Sequence, residues 1–259
     1  MKKTHPGPLD HVTYGDPSRP ALTLLHAGGL THREWETLGP RLAERFFVIA
    51  PTALGHGSSP PADTLSFADL ARAVLDLLDD LGIERSHFLG SSMGGATALY
   101  IVTRCPERVD RLVLYRTNFR TGPGGSRALD AMTRPETWRQ WGLEKQMREQ
   151  HLPQGGPDAW IEVAKKVIAM VRSEKTGELA QPEDLERITA PTLIVCGDRD
   201  PLVPLSDAML MHEKIPSSAL WVVPDATHVI QIESLRRDSF PTEVLAFLRG
   251  MTVSSAENG

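Results

Sequence analysis

Cysteine is scarce in this chain: among 259 residues there are two, Cys105 and Cys196. Cys196 falls in an apolar stretch typical of a central strand and Cys105 near a helix end, so two buried thiols are expected rather than a disulfide, with no redox role. Any run of lysine and arginine is also missing. The formal charge of -5 is a mild acidity that solubility alone explains, which argues against a nucleic-acid partner. No apolar stretch approaches the ~18 residues needed to span a bilayer. Behind the two lysines of residues 1–10 no apolar run follows, so no membrane association and a cytosolic location are expected. There is no internal repeat. Nine histidines invite a metal reading, yet neither H-E-x-x-H nor a paired His/Cys spacing is present, and no metal is expected. The glycine-rich run at 122–125 lacks the preceding strand and the third glycine of a dinucleotide fingerprint, so no nucleotide cofactor is expected either.

What is present is an apolar fraction of 41% delivered in short runs. Those at 22–25, 47–50, 87–89, 112–115, 192–196 and 220–223 have the character of strands buried on both faces. They alternate with helical patterns, which predicts an α/β fold with a mainly parallel twisted sheet and helices on both faces. Ser66, with Asp69 three residues on, reads as a helix N-cap. Phe67, Leu70, Val74, Leu77, Leu78 and Leu81 recur behind it at helical spacing, and Gly82 ends the helix as a left-handed cap. Val244, Leu245, Phe247 and Leu248 mark a terminal helix closed by Gly250, and the polar tail 251–259 is expected to be mobile.

Between Tyr115 and Thr192 lies a stretch too long for an ordinary loop. Trp138, Trp141, Leu143, Met147, Trp160, Val163, Val167, Ile168 and Val171 fall there at helical intervals, and Gly/Pro clusters at 122–125 and 155–157 break it into segments. The expected organisation is a core of residues 1–117 and 188–250 with a small helical cap, 118–187, inserted into it. For any single one of these large side chains, packing the cap onto the core is the commoner role and lining a pocket the rarer one.

The most informative stretch is Gly90-Ser91-Ser92-Met93-Gly94, set where the apolar run 87–89 gives way to a small-residue helix over 95–103. Composition alone produces a G-x-S-x-G in roughly one chain in ten of this size, so the placement carries the reading. In a nucleophile elbow the central serine takes a strained conformation that lifts its hydroxyl off the sheet, and the positions two before and two after it admit only very small residues. Ser92 is central; Ser91 is a small neighbour that tolerates the turn. A serine hydroxyl is a poor nucleophile at neutral pH and needs a base, an acid to orient that base, and oxyanion donors. The chain order for such a site is Ser, then Asp or Glu, then His. The run 192–196 is followed by Gly197-Asp198-Arg199-Asp200-Pro201, and the run 220–223 by Pro224-Asp225-Ala226-Thr227-His228. Asp200 and His228 take the two roles. Asp198 is the rival acid and Asp225 a weaker one; the G-x-x-D spacing favours Asp200, and Asp198 is expected to satisfy loop amides.

With these motifs, together with Leu24-Leu25-His26-Ala27-Gly28-Gly29, Leu54-Gly55-His56-Gly57-Ser58-Ser59 and Pro191 onward to Pro204, the sequence resembles the α/β-hydrolase superfamily over nearly its whole length. Within it, the layout is similar to serine-nucleophile small-molecule esterases and enol-lactone hydrolases. The resemblance implies that Ser92 is the nucleophile, His228 the general base and Asp200 its orienting carboxylate, with the backbone N–H groups of Gly28 and Met93 as the oxyanion hole. It implies structural roles for His26 and His56, and a cap that helps to line the substrate pocket. His32, just after the oxyanion loop, either reaches that pocket or, as the commoner alternative, is a surface histidine at a helix start. Three positions depart from the family pattern. Ala27 stands where glycine is usual and either restricts the loop or packs; Thr52 replaces a common Asp; Thr227 replaces the glycine that often precedes the catalytic His. None of them removes a reacting group.

A serine nucleophile disfavours the branches of the superfamily that work through an alkyl-carboxylate intermediate. The expected activity is hydrolysis of a carboxylic ester or lactone of a small to medium, mostly apolar substrate through an acyl-serine, without a cofactor. The alternatives are a carbon–carbon bond hydrolase of a vinylogous diketone, which uses the same triad, thioester hydrolysis and, from another class, a ligand-binding receptor that keeps the hydrolase fold. The oligomeric state is not written in these motifs.

Overall fold

The computed structural model describes residues 7–120, 123–173, 179–228 and 239–251. Among these residues, seven strands form one sheet: β1 (His11–Tyr14), β2 (Ala21–Leu25), β3 (Phe47–Pro51), β4 (Ser86–Ser91), β5 (Val109–Tyr115), β6 (Thr192–Gly197) and β7 (Ser218–Val223). Their spatial order is β1-β3-β2-β4-β5-β6-β7. β1 runs antiparallel to β3 and every other pair is parallel. The helices are α1 (Leu38–Leu42), α2 (Phe67–Asp80), α3 (Met93–Arg104), α4 (Pro123–Met132), α5 (Pro135–Gln140), α6 (Glu144–Gln150), α7 (Ala159–Arg172), α8 (Pro182–Leu185), α9 (Leu205–Lys214) and α10 (Ser239–Leu248).

The two-residue period of a strand sorts its side chains onto opposite faces. Phe88, Leu112, Leu114, Ile194 and Cys196 join one core with residues of α2, α3 and α9, whereas Leu89, Val113, Tyr115 and Val195 join a second core with residues of α1 and α10. Both faces are therefore covered, which is why the strands read as continuous apolar runs. The α2 start is capped by Ser66, whose side chain accepts from the Asp69 N–H. Its end is closed by Gly82 at φ +71°, with the Ile83 N–H returning to the Leu78 carbonyl at 2.8 Å, the left-handed cap that glycine favours.

The structure corrects three details. β1 escapes sequence reading because its four residues, His11-Val12-Thr13-Tyr14, are too short and too mixed to form an apolar run, and only its pairing with β3 at the sheet edge makes it a strand. The elbow helix begins at Met93, two residues before the expected start at Gly95, so Gly94 and Gly95 belong to its first turn. At 122–125, Pro123 opens α4 and puts Gly124 and Gly125 inside that helix rather than in a break, as suits proline at a first helical position; Gly122 lies outside the described residues. The second cluster does interrupt the chain: Gly155 and Gly156, at φ +137° and +105°, turn it before α7. Of the tail 251–259, residues 252–259 lie outside the described residues.

Helices α4 to α8 all fall between β5 and β6. Trp138, Met147, Trp160 and Ala164 from these helices form a small core with Ala27 and Leu30 of the loop after β2. The inserted helices are thus anchored on the carboxyl edge of the parallel strands, where ligands bind in open α/β sheets.

Candidate active site

Ser92 connects β4 to α3 with φ 50° and ψ -111°, a conformation costly for any residue with a side chain. Its neighbours explain how the chain tolerates it. A Cβ on Gly90 would lie 2.4 Å from the Gly95 nitrogen, and one on Gly94 would lie 2.2 Å from the Leu25 carbonyl oxygen. Only glycine permits strand, turn and helix to approach this closely.

The three side chains picked out by chain order converge. His228 Nε2 is 2.9 Å from Ser92 Oγ, and His228 Nδ1 is 2.8 Å from Asp200 Oδ2. The Asp200 side chain is fully buried, and its other oxygen, Oδ1, accepts from the Leu202 and Val203 N–H groups at 2.8 and 3.1 Å. With that oxygen occupied by the main chain, the carboxylate presents Oδ2 to the ring. The proton on Nδ1 is thereby fixed, and Nε2 is left to accept from the serine hydroxyl. The loop amides expected to bind Asp198 go instead to Asp200, and Asp198 is exposed because its side chain stands outside the turn that Asp200 closes. Asp225 is exposed and paired with Arg199.

Gly28 and Met93 border the same cavity as Ser92 and His228. Met93 opens α3, whose first-turn amides have no partner within the helix. A Cβ on Gly28 would meet Val167 Cγ1 of α7 at 2.5 Å and sit 3.6 Å from Met93 Cβ. The cavity encloses about 130 Å³, the order of size that accommodates a single aromatic ring. Its wall is mostly apolar. Trp138, Trp141, Leu143, Val167, Ile168 and Val171 from the inserted helices line it, with Arg116, Asn118 and Arg120 as polar members. Met147, Trp160 and Val163 are buried and pack instead.

His26, His56 and His151 form a second constellation, next to the loop that follows β2. Ring centroids lie 5.3 Å apart for His26 and His56 and 5.7 Å for His56 and His151. Each ring accepts on one nitrogen from a main-chain N–H, of Ala53, Gly29 and Gly57 respectively. The other nitrogen then donates to a main-chain carbonyl, of Ala27, Leu54 and Gly29 respectively. Burial holds all three neutral: it lowers His26 to about 4, His56 well below the usual histidine range, and His151 in the same direction. Their ring lone pairs are already engaged, and among the described residues no group of three His, Cys, Asp or Glu side chains is placed to hold a metal. His32 does not line the pocket; it is largely buried, with Nδ1 2.8 Å from Thr52 Oγ1. Thr52, which stands where the family pattern has Asp, in turn donates to the Asp10 carboxylate at 3.2 Å. Ala27 is buried and packs.

Two charged residues of the site went unread in the sequence. Arg116 and Glu34 form an ion pair at 2.5 Å with both side chains 4% exposed. The available signal was an arginine directly ending the buried strand 112–115, where a charge has to find a partner. His151, at the end of α6, carried no local signal for its contacts.

The model of the alpha/beta hydrolase family matches residues 24–245. The chain belongs to this family. Among its curated relatives, this α/β hydrolase is 26% identical over 245 residues to 3-oxoadipate enol-lactonase 2 of Acinetobacter baylyi, covering 87% of this chain and 88% of that one. It is 29% identical over 260 residues to a 2-hydroxy-6-oxo-6-phenylhexa-2,4-dienoate hydrolase of Burkholderia cepacia, covering 88% and 87%. Among solved structures, the enzyme of that same name from a Rhodococcus species superposes with a TM-score of 0.78 at 25% identity, covering 92% of this chain and 94% of that chain.

Proposed function

We propose that the protein is a serine hydrolase that cleaves a carboxylic ester or lactone of a small to medium, mostly apolar substrate. The observation that carries this reading is the unbroken hydrogen-bonded line from buried Asp200 through His228 to a strained Ser92 at the wall of an apolar cavity. His228 takes the proton of Ser92 as Oγ bonds to the substrate carbonyl carbon, and Asp200 holds the ring and stabilises the imidazolium. The backbone N–H groups of Gly28 and Met93 bind the oxyanion. The tetrahedral species collapses with loss of the carbon–oxygen bond, and His228 returns its proton to the leaving oxygen. Water then attacks the acyl-serine by the same route, releasing the acid and restoring Ser92. In a lactone the leaving oxygen stays tethered and one hydroxy acid is released.

In this reading residues 118–187 are a cap on a core of 1–117 and 188–250, and the apolar side chains the cap turns toward Ser92 set the size of the acyl group. The enol-lactonase relative supports the ester and lactone class. The dienoate hydrolases support a second reading, hydrolytic cleavage of a carbon–carbon bond in a vinylogous diketone by the same three side chains. Two free thiols, Cys105 and Cys196, suit the cytosolic location included in the proposal.

The test is hydrolysis of p-nitrophenyl esters of rising chain length and of simple lactones by the wild type and by Ser92→Ala. Turnover that disappears in the variant is expected, with a preference for short acyl chains from the cavity size. Cleavage of a ring-fission dienoate but of no ester would favour the carbon–carbon reading. An absence of turnover on either would favour a receptor.

A further inference from the structure

The buried ion pair plays no part in the steps above, and its cost requires an explanation. Removing a guanidinium and a carboxylate from water costs several kcal/mol per ion, and apolar replacement of such a pair is often neutral or stabilising. Stability alone is a poor reason for it to be there.

Its hydrogen bonds show what it joins. Arg116 donates through Nε to Ser91 Oγ at 2.9 Å, through Nη1 to the His228 main-chain carbonyl at 2.7 Å, and through Nη2 to Glu34 Oε1 at 2.5 Å. Glu34 spends its other oxygen on the Ala27 N–H, at 2.7 Å. Each contact falls on, or one residue away from, a different part of the proposed machinery: Ser91 precedes the nucleophile, His228 is the base, and Ala27 precedes the oxyanion residue Gly28. The three segments come from distant parts of the chain and leave three different strands. Arg116 itself is held at φ 45°, in the left-handed region, with its N–H on the Val195 carbonyl of β6 at 2.7 Å. A non-glycine residue keeps that conformation only where its surroundings over-determine it.

We infer that the Arg116–Glu34 pair is a positioning clamp that sets the spacing of nucleophile, base and oxyanion amide relative to one another. The planar fork of arginine, with donors in fixed directions, reaches three segments at once; a lysine has a single ammonium and no such geometry. The clamp acts through Ser91, His228 and Ala27 on atoms that react. Misplacement of reacting groups by about 1 Å can cost 10²-fold in rate.

This inference rests on the serine-hydrolase reading, so its experiment first establishes wild-type turnover of a short p-nitrophenyl ester and its loss in Ser92→Ala. Arg116→Met, Arg116→Lys and the double variant Arg116→Met with Glu34→Leu are then compared for kcat, KM, labelling rate by a fluorophosphonate, and melting temperature. The single Met variant leaves Glu34 buried without its partner, and a melting loss or outright misfolding is expected. The double variant removes both charges and is expected to fold. The clamp predicts that its kcat stays about 10²-fold below wild type with KM changed less than about threefold, its labelling rate falls in parallel, and Arg116→Lys recovers only part. A double variant with wild-type kcat and labelling rate would overturn the clamp and leave the hydrolase reading standing. A wild type that neither turns over ester nor is labelled at Ser92 would overturn both.

Discussion

Two groups of histidine lie near the loop that follows β2, and their surroundings place them under opposite electrostatic conditions. His228 faces a buried carboxylate on one side and a serine hydroxyl on the other, at the cavity wall. His26, His56 and His151 face main-chain groups on both ring nitrogens and are sealed from water. A carboxylate partner stabilises a charge that forms and disappears during turnover; a main-chain N–H pointed at a ring nitrogen forbids that charge. The first arrangement is suited to moving protons. The second uses neutral imidazole as a rigid donor–acceptor bridge, and through His151 it fastens the inserted helices to Gly29 and Gly57 of the loops that follow β2 and β3.

The sharpest way to separate the two groups is to remove one member of each. His228→Gln is expected to lower kcat by about 10⁴-fold or more, because the residual rate rests on the oxyanion donors and binding. Its melting temperature should stay within a few degrees of wild type, which thermal unfolding checks directly. His151→Ala should do the reverse. It strands the Gly57 N–H and the Gly29 carbonyl, a cost of about 1–3 kcal/mol for each buried group left without a partner, read as a lower denaturant midpoint. Its effect on kcat should stay within about tenfold, consistent with an indirect action on the pocket.

The buried trio also makes a prediction about acid. Unfolded, these rings take up protons near pH 6.5; folded, His26 resists until about pH 4 and the other two are shifted in the same direction. The unfolded state therefore binds more protons as pH falls below 6.5, and stability present at neutral pH is lost progressively toward pH 4. For His26 alone the shift corresponds to about 3 kcal/mol. Unfolding free energies from urea titrations at pH 7 and pH 4.5 measure this, and His26→Asn should flatten the dependence.

Smaller effects probe the approach of the inserted helices. A methyl group on Gly28 meets Val167, so Gly28→Ala should weaken ester binding or turnover by about tenfold. Gly28→Ala combined with Val167→Ala should recover most of that loss if the clash is the cause; kcat and KM of the single and double variants decide it.

The contrast between the histidines also marks where sequence reading succeeds and where it stops. The strands and the order Ser92, Asp200, His228 were legible because each rests on local chemistry: a fully buried strand leaves a run of apolar residues, and an elbow leaves glycines at fixed offsets. β1 was not legible, since its four mixed residues become a strand only by pairing with β3. Asp198 and Asp200 could be ranked by spacing, but which one collects the loop amides depends on how the turn closes. The histidine bridge and the Arg116–Glu34 pair lay beyond reach for the same reason. His151 meets its partners 94 and 122 residues away, and Arg116 meets Glu34 across 82. Such contacts have no local period or spacing to betray them. Arg116 was at least a visible anomaly, a charge at the end of a buried strand, and asking what would neutralise it is the step that leads to Glu34.

The central claim, an activated nucleophile at Ser92 driven by His228, is tested most directly by intact-mass measurement after exposure to a fluorophosphonate. The wild type should gain one adduct, mapped by peptide digestion to Ser92, whereas Ser92→Ala gains none and His228→Gln reacts at least about 10³-fold more slowly. A wild type that stays unmodified, or an adduct that forms as fast in Ser92→Ala, would contradict the account.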